Sequence, residues 1–197
     1  MKKNYHHGNL KNELIKEGIN TINSIGEEKL SLRKLAEICG VSAAAPYTYF
    51  KKKSDLLEAM SSYIWDILAA KLEITVEKYK NNDDLLVKLG KTYIMFFYKN
   101  PAYYHFIISK KNTKINFSLE ITEKENENAL NILKREAIKV FEKINMPKKI
   151  MENKIIAMWA LVQGLTTIII MRNKECPEDW EEKIEEIIKS SFITYYK

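Results

Sequence analysis

Apolar residues recur every three or four positions along almost the whole chain, the period of a helix buried on one face. The first such stretch, residues 8–25, sets Leu10, Leu14, Ile15, Gly18, Ile19, Ile22 and Ile25 along one side, and Gly26 closes it. Ser31 is placed to cap a second helix whose inner face is Leu32, Leu35, Ala36 and Cys39, and Gly40 stops that helix. Ser42 is placed to cap a third, short helix running through Tyr49, and Lys53-Ser54-Asp55 opens a fourth. The fourth runs over 55–80, and the pattern predicts further helices over 83–99, 118–144 and 147–172, and one from 178 onward. Asn100-Pro101 separates a short aromatic segment at 101–109, followed by a polar loop. The expected fold class is all-α, with about nine helices: a three-helix head and a larger helical body.

Composition strengthens this reading. Six Gly and four Pro in 197 residues leave too little punctuation for a turn-rich β architecture. No apolar stretch follows the first residues, so no signal peptide is expected. Cys39 and Cys176 stand alone, without metal-ligand spacing, and read as reduced structural thiols of a cytoplasmic protein. Residues 155–171 form a charge-free run, but Gln163, Gly164, Thr166 and Thr167 interrupt it and it falls short of a usual spanning length. A helix buried on all sides is expected there, and no membrane association.

Charge separates the two ends. Through Ser54 there are ten Lys or Arg against five Glu, which accounts for +5 of the net +6. A basic head on a near-neutral body points to a polyanion partner, although a plain solvated face has the same composition. The residues from Ser31 to Ser42 decide more. Ala36 is the small residue that two steeply crossing helices need, Gly40 tolerates the left-handed turn between them, and Val41 plugs the core. This is the spacing of a DNA-reading helix-turn-helix, over about 31–50; a generic helical hairpin shares its small residue and its glycine.

The stretch from Gly40 to Leu57 resembles one family. Gly40-Val41-Ser42, Tyr47, Phe50, Lys53 and Leu56-Leu57 stand as in the DNA-binding domain of the tetracycline-repressor (TetR/AcrR) family. The resemblance spans about residues 8–58 and implies a homodimeric regulator that binds double-stranded DNA. It implies phosphate contacts from Ser31, Tyr47, Tyr49 and Lys53, and leaves base edges to Ala43, Ala44, Ala45 and Thr48 beside Ser42. Tyr49 departs from the His common at its position. Free backbone N–H groups at the start of the fourth helix would favour a phosphate beside Lys53. The leader Tyr5-His6-His7-Gly8-Asn9 and the stretch Trp159-Ala160-Leu161-Val162-Gln163-Gly164 resemble one branch of the family, with Gln163 where a Trp-His-Gly motif has His.

The same resemblance implies a DNA-binding domain over 1–54 and an effector-binding and dimerisation domain over 55–197. Its two last helices would pair with their mates through Ala160, Gly164, Ile168, Ile184, Ile187, Ile188 and Ser191. A pocket for a small apolar or aromatic inducer would involve Tyr63, Trp65, Tyr93, Phe97, Tyr104, His105, Trp159 and Gln163. Aromatics at helical spacing also serve as plain core. No phosphate-cradling glycine loop, metal-ligand cluster or nucleophile with its base is visible, so neither an enzyme nor a resident metal or cofactor is expected. The rival reading is a helical interaction module that does not bind DNA.

Overall fold

A computed structural model of the chain describes residues 10–110, 116–120, 129–171 and 180–192, and every regular element among them is helical. The α-helices in order are α1 (Leu10–Ile25), α2 (Leu32–Ile38), α3 (Lys53–Tyr79), α4 (Leu85–Lys99), α5 (Pro101–Ile108), α6 (Ala129–Lys143), α7 (Lys148–Met171) and α8 (Trp180–Phe192). Short 3-10 turns occupy Glu27–Lys29 and Ala45–Thr48. The fold is thus all-α with an N-terminal helix-turn-helix, and among the described residues it has eight α-helices where the pattern predicts about nine.

The difference is the expected third helix. Pro46 lacks an N–H, and its ring would strike the Ser42 carbonyl if residues 42–49 were α-helical. The chain takes tighter bonds instead: Ala45 N–H donates to Ser42 O at 2.9 Å and Tyr47 N–H to Ala44 O at 3.1 Å. A second correction concerns 118–144. Residues 116–120 are not helical, and Asn116 and Ser118 bond the N–H groups two residues on at 3.0 Å each, an alternative to helix. The leader through Asn9, Cys176 and residues 121–128 lie outside the described residues.

The chain forms two compact units, Met1–Ile64 with Ala102–Asn112, and Trp65–Pro101 with Thr113–Lys197. We call them the head unit and the body unit. In the head unit Leu14, Ile19, Leu35, Leu56, Met60 and Ile64 are fully buried. Gly18 lets α1 and α3 approach closely, because a Cβ there would stand 3.1 Å from Met60 Sδ. α5 joins this unit through buried Tyr104 and Phe106, and Asn23 Nδ2 donates to Ala102 O at 3.0 Å.

α4 is the axis of the body unit and packs on α6, α7 and α8. A Cβ on Gly90 would meet Ile188 Cδ1 at 3.0 Å and Val162 Cγ2 at 3.4 Å, so this glycine sets how closely α8 and α7 lie on α4. Charge pairs at the edges of the packing reinforce it. Lys88 and Lys91 both reach Glu185 at 2.7 Å, and Lys189 reaches Asp84 at 2.7 Å. Burial works to raise the Glu185 carboxyl, but hydrogen bonds from the two lysines and their charges outweigh it and hold its pKa below the ordinary value. Arg135 Nη2 donates to both carboxylate oxygens of Glu73, at 3.0 and 3.1 Å, tying α6 to α3.

α6 ends on Asn145 at φ 53°, with Met146 N–H bonded back to Phe141 O, and Pro147 then directs the chain into α7. α7 is long and apolar enough to cross a membrane by length and composition alone. In the body unit it buries Met151, Ile155, Val162, Leu165 and Ile169, while Thr166 and Thr167 return their hydroxyls to its own carbonyls. The expectation of burial on all sides is corrected. Ile156, Ala157, Ala160, Gly164, Ile168 and Met171 are exposed along the other face. That face offers small and apolar side chains to solvent.

Candidate nucleic-acid interface

The interface is assembled from short-range bonds that the sequence dictates locally. Ser31 Oγ accepts the Lys34 N–H at 3.1 Å and caps α2, as expected. Gly40 adopts φ 66°, its N–H reaches Glu37 O, and Val41 N–H reaches Ala36 O at 2.9 Å. This paired closure of a helix end requires a left-handed residue where Gly40 stands. Ala36 is buried at the crossing. Cys39 is buried beneath it, and burial, aided by the charges of Glu13 and Glu17, pushes its thiol up to about 11. Such a thiol is inert at neutral pH, in keeping with a structural role.

Two buried pegs, Pro46 and Phe50, then hold the reading turn. The Pro46 carbonyl accepts both the Tyr49 and Phe50 N–H groups, at 3.0 and 2.9 Å. Between the pegs and just before them the chain presents Ser42, Ala43, Ala44, Tyr47, Thr48 and Tyr49 to solvent, with Ala45 half-buried. Tyr47 is 54% exposed, far more than an apolar ring needs to be. Ser42 does not cap the turn with its side chain; Ala44 occupies the cap position and the first closing bond uses the Ser42 carbonyl.

At the entrance to α3 a carboxylate ties down the two residues that precede the helix. Asp55 Oδ2 accepts the N–H of Lys51 at 3.0 Å and of Lys52 at 3.2 Å. The Lys53 ammonium is half-buried and donates to the Glu27 carbonyl. One of its three donors is thereby committed, and its charge stands fixed beside the reading turn. Lys51 and Lys52 are exposed to solvent. These two lysines and Asp55 are functional candidates that sequence reasoning missed. The signal was an aspartate four residues after a lysine and directly before an apolar run, a helix-start pattern.

Residues 14–60 match the family model described as bacterial regulatory proteins, tetR family. Those residues of the head unit form a TetR-family N-terminal domain. The fold of the chain recurs in solved structures. One is a Rhodococcus sp. RHA1 protein of unknown function, at 21% identity and TM-score 0.72, covering 98% of this chain and 96% of the other. Another is a TetR family transcription regulator from Marinobacter aquaeolei VT8, at 16% identity and TM-score 0.63, covering 92% and 94%. A third is TetR from Acinetobacter baumannii AYE, at 16% identity and TM-score 0.55, covering 92% and 86%. No curated protein matches the sequence.

The residues expected to form one inducer pocket fall in both units. Tyr63, Tyr104 and His105 belong to the head unit, where Tyr63 meets Tyr103 edge-on, Tyr104 is buried and His105 is exposed. Trp65, Tyr93, Phe97, Trp159 and Gln163 belong to the body unit. There the Tyr93 ring lies 5.0 Å from Phe97 and 5.3 Å from Trp159, and Gln163 Nε2 donates to Tyr93 Oη at 2.7 Å. Tyr93 and Phe97 are packed core. Trp159 also borders an apolar cavity of about 40 Å³, with Leu86, Leu133, Ala137 and Val162 around it.

The expected dimer residues divide as well. Ala160, Gly164 and Ile168 lie on the open face of α7, and nothing stands within 4 Å of a Cβ on Gly164. Ile184 and Ile188 turn into the body unit's own core, Ile187 is half-buried, and Ser191 is exposed with its hydroxyl on Ile187 O.

Proposed function

We propose that this chain is a homodimeric, ligand-responsive repressor that reads a pseudo-palindromic DNA operator in the cytoplasm. The observation that carries the reading is the exposed turn from Ser42 to Tyr49, pinned by Pro46 and Phe50 and followed by three lysines. Ser31, Tyr47, Tyr49 and Lys53 supply contacts to phosphates, and Ala43, Ala44, Ala45 and Thr48 approach base edges. Pairing through the open face of α7 supports a dimer, because one short reading element grips too little DNA alone. The 1–54 segment carries the DNA function and 55–197 the effector and dimer functions. The inducer is small and apolar or aromatic, and the Trp159–Gly164 stretch supports placement in the Trp-His-Gly branch. The reading assigns no enzymatic activity and no resident cofactor.

Alanines read only thymine methyls and groove shape, and the turn holds no arginine for a bidentate guanine contact. The operator is therefore AT-leaning, with half-sites about 34 Å or somewhat more apart. Selection of bound sequences from a random pool, followed by a salt titration of the winner, tests this. An AT-leaning inverted repeat with steep salt dependence is the expected result. Guanine-rich half-sites, or no salt-sensitive binding, overturn it.

A further inference from the structure

We propose that a groove of the body unit, walled by α3, α4 and α8, binds an organic anion with an apolar tail. The groove encloses about 480 Å³, within the range of small-molecule sites. Lys71 and Lys78 of α3 and Lys88, Lys91 and Lys99 of α4 line it, against only Glu181 and Glu185 of α8. The charged lining therefore sums to +3. Lys71 and Lys78 pair with no carboxylate among the described residues, and Lys78 and Lys88 both lie over the Tyr79 ring, at 5.1 and 5.7 Å. Lys88 and Lys91 share Glu185 and Lys99 reaches Glu181 at 3.5 Å, so the excess positive charge rests on Lys71 and Lys78 and on the shared pair, and an anion neutralises it.

The surface between the lysines is apolar. Ile74 is 68% exposed in the groove wall, and Met95, Phe96 and the Tyr79 ring continue the apolar lining. An isolated exposed isoleucine is ordinary; one set among lysine stems inside a cavity offers a tail a place to lie. Thr75 and Thr92 bond each other at 2.9 Å, so neither hydroxyl of that wall lacks a partner. Charge selects the head of the ligand and this lining selects its tail.

Glu185 is the built-in competitor. It holds both Lys88 and Lys91, and in doing so holds α8 on α4. A ligand anion that takes those two lysines releases Glu185, so occupancy and the docking of α8 are thermodynamically linked. The inference stands on the body unit alone and is independent of DNA binding.

Calorimetric titration of the full-length protein with octyl phosphate, below its micelle concentration, tests the proposal. Inorganic phosphate and 1-octanol are titrated separately as head and tail alone. One octyl phosphate per chain is expected, bound at least about tenfold tighter than either part, because head and tail sites act together. The exposed pair Lys71→Glu with Lys78→Glu should weaken it about tenfold or more, while Lys143→Glu on α6 should leave it unchanged. Glu185→Gln should tighten it severalfold by freeing two lysines, a gain that a merely structural Glu185 would not produce. Circular dichroism checks that each variant is folded. Equal binding by the double charge reversal, equal binding of inorganic phosphate or octanol, or no binding of octyl phosphate overturns the proposal. Preference for polyglutamate over octyl phosphate does so too, and would mark the groove as a surface for an acidic protein.

Discussion

Lys53 carries two roles that one pair of substitutions separates. Its ammonium donates to the Glu27 carbonyl, and its charge stands at the edge of the reading turn. Lys53→Ala removes both. The lost charged hydrogen bond is worth about 1.5–3 kcal/mol when buried, but the site is half-exposed and water replaces part of it, which leaves about 1 kcal/mol. For a chain of this size that lowers the melting temperature by about 2–4 °C. Loss of one phosphate contact in each head of a dimer reduces the salt slope by about 1.8. Between 50 and 200 mM salt the wild-type and variant affinities should therefore converge about twelvefold. Lys53→Gln keeps a donor for Glu27 and discards the charge, so it should keep most of the stability and show the same loss of slope. Fluorescence anisotropy on the selected operator at four salt concentrations, with thermal melts of the free protein, measures both quantities. If both variants melt early yet keep the wild-type slope, Lys53 is a strut, and the phosphate assignment passes to Lys51 and Lys52.

The body unit supplies two further expected outcomes. Gly90→Ala gains about 1 kcal/mol of helix propensity and asks the far end of the buried Ile188 side chain to give by a few tenths of an ångström, so the two effects offset and thermal stability should stay near wild type. Gly90→Leu drives α8 and α7 off α4 and should cost about 1–3 kcal/mol in urea unfolding; an unchanged midpoint would show that the contact is slack. The Glu185 carboxyl has a lowered folded pKa, so its stabilising contribution is complete above the ordinary carboxyl pKa of about 4.3 and is lost as pH falls through the folded value. Urea midpoints from pH 6 to 3 should fall less steeply in Glu185→Gln than in wild type, and parallel curves would count against the clamp.

Whatever rests on neighbours in the chain was legible in the sequence. The Ser31 cap, the left-handed Gly40 and the buried Ala36, Phe50 and Cys39 all follow from residue type at short spacing, and so does the helical period. The 3-10 form of the reading turn was also written there in Pro46, whose missing N–H the apolar period does not register. Anything set by tertiary placement could not be read. Tyr93 and Phe97 look the same in a string whether they line a pocket or pack against Trp159. Ile184 and Ile188 share their period with any face of α8, and only packing against Gly90 shows which face turns inward. The lysine groove draws on two helices whose side-by-side order no spacing reveals.

The exposed alanines have an evolutionary consequence. Ala43 and Ala44 hang from a turn whose shape is kept by Pro46, Phe50 and backbone bonds, so neither methyl holds the fold together. Replacing one with a serine, asparagine or arginine leaves no cavity and strands no buried polar group, and surface changes of that kind cost about half a kcal/mol or less. On the proposed reading of this turn, each such replacement alters the chemistry offered to a base edge. Mutational drift at these two positions then changes the preferred DNA sequence while the selection that keeps the chain folded scarcely notices.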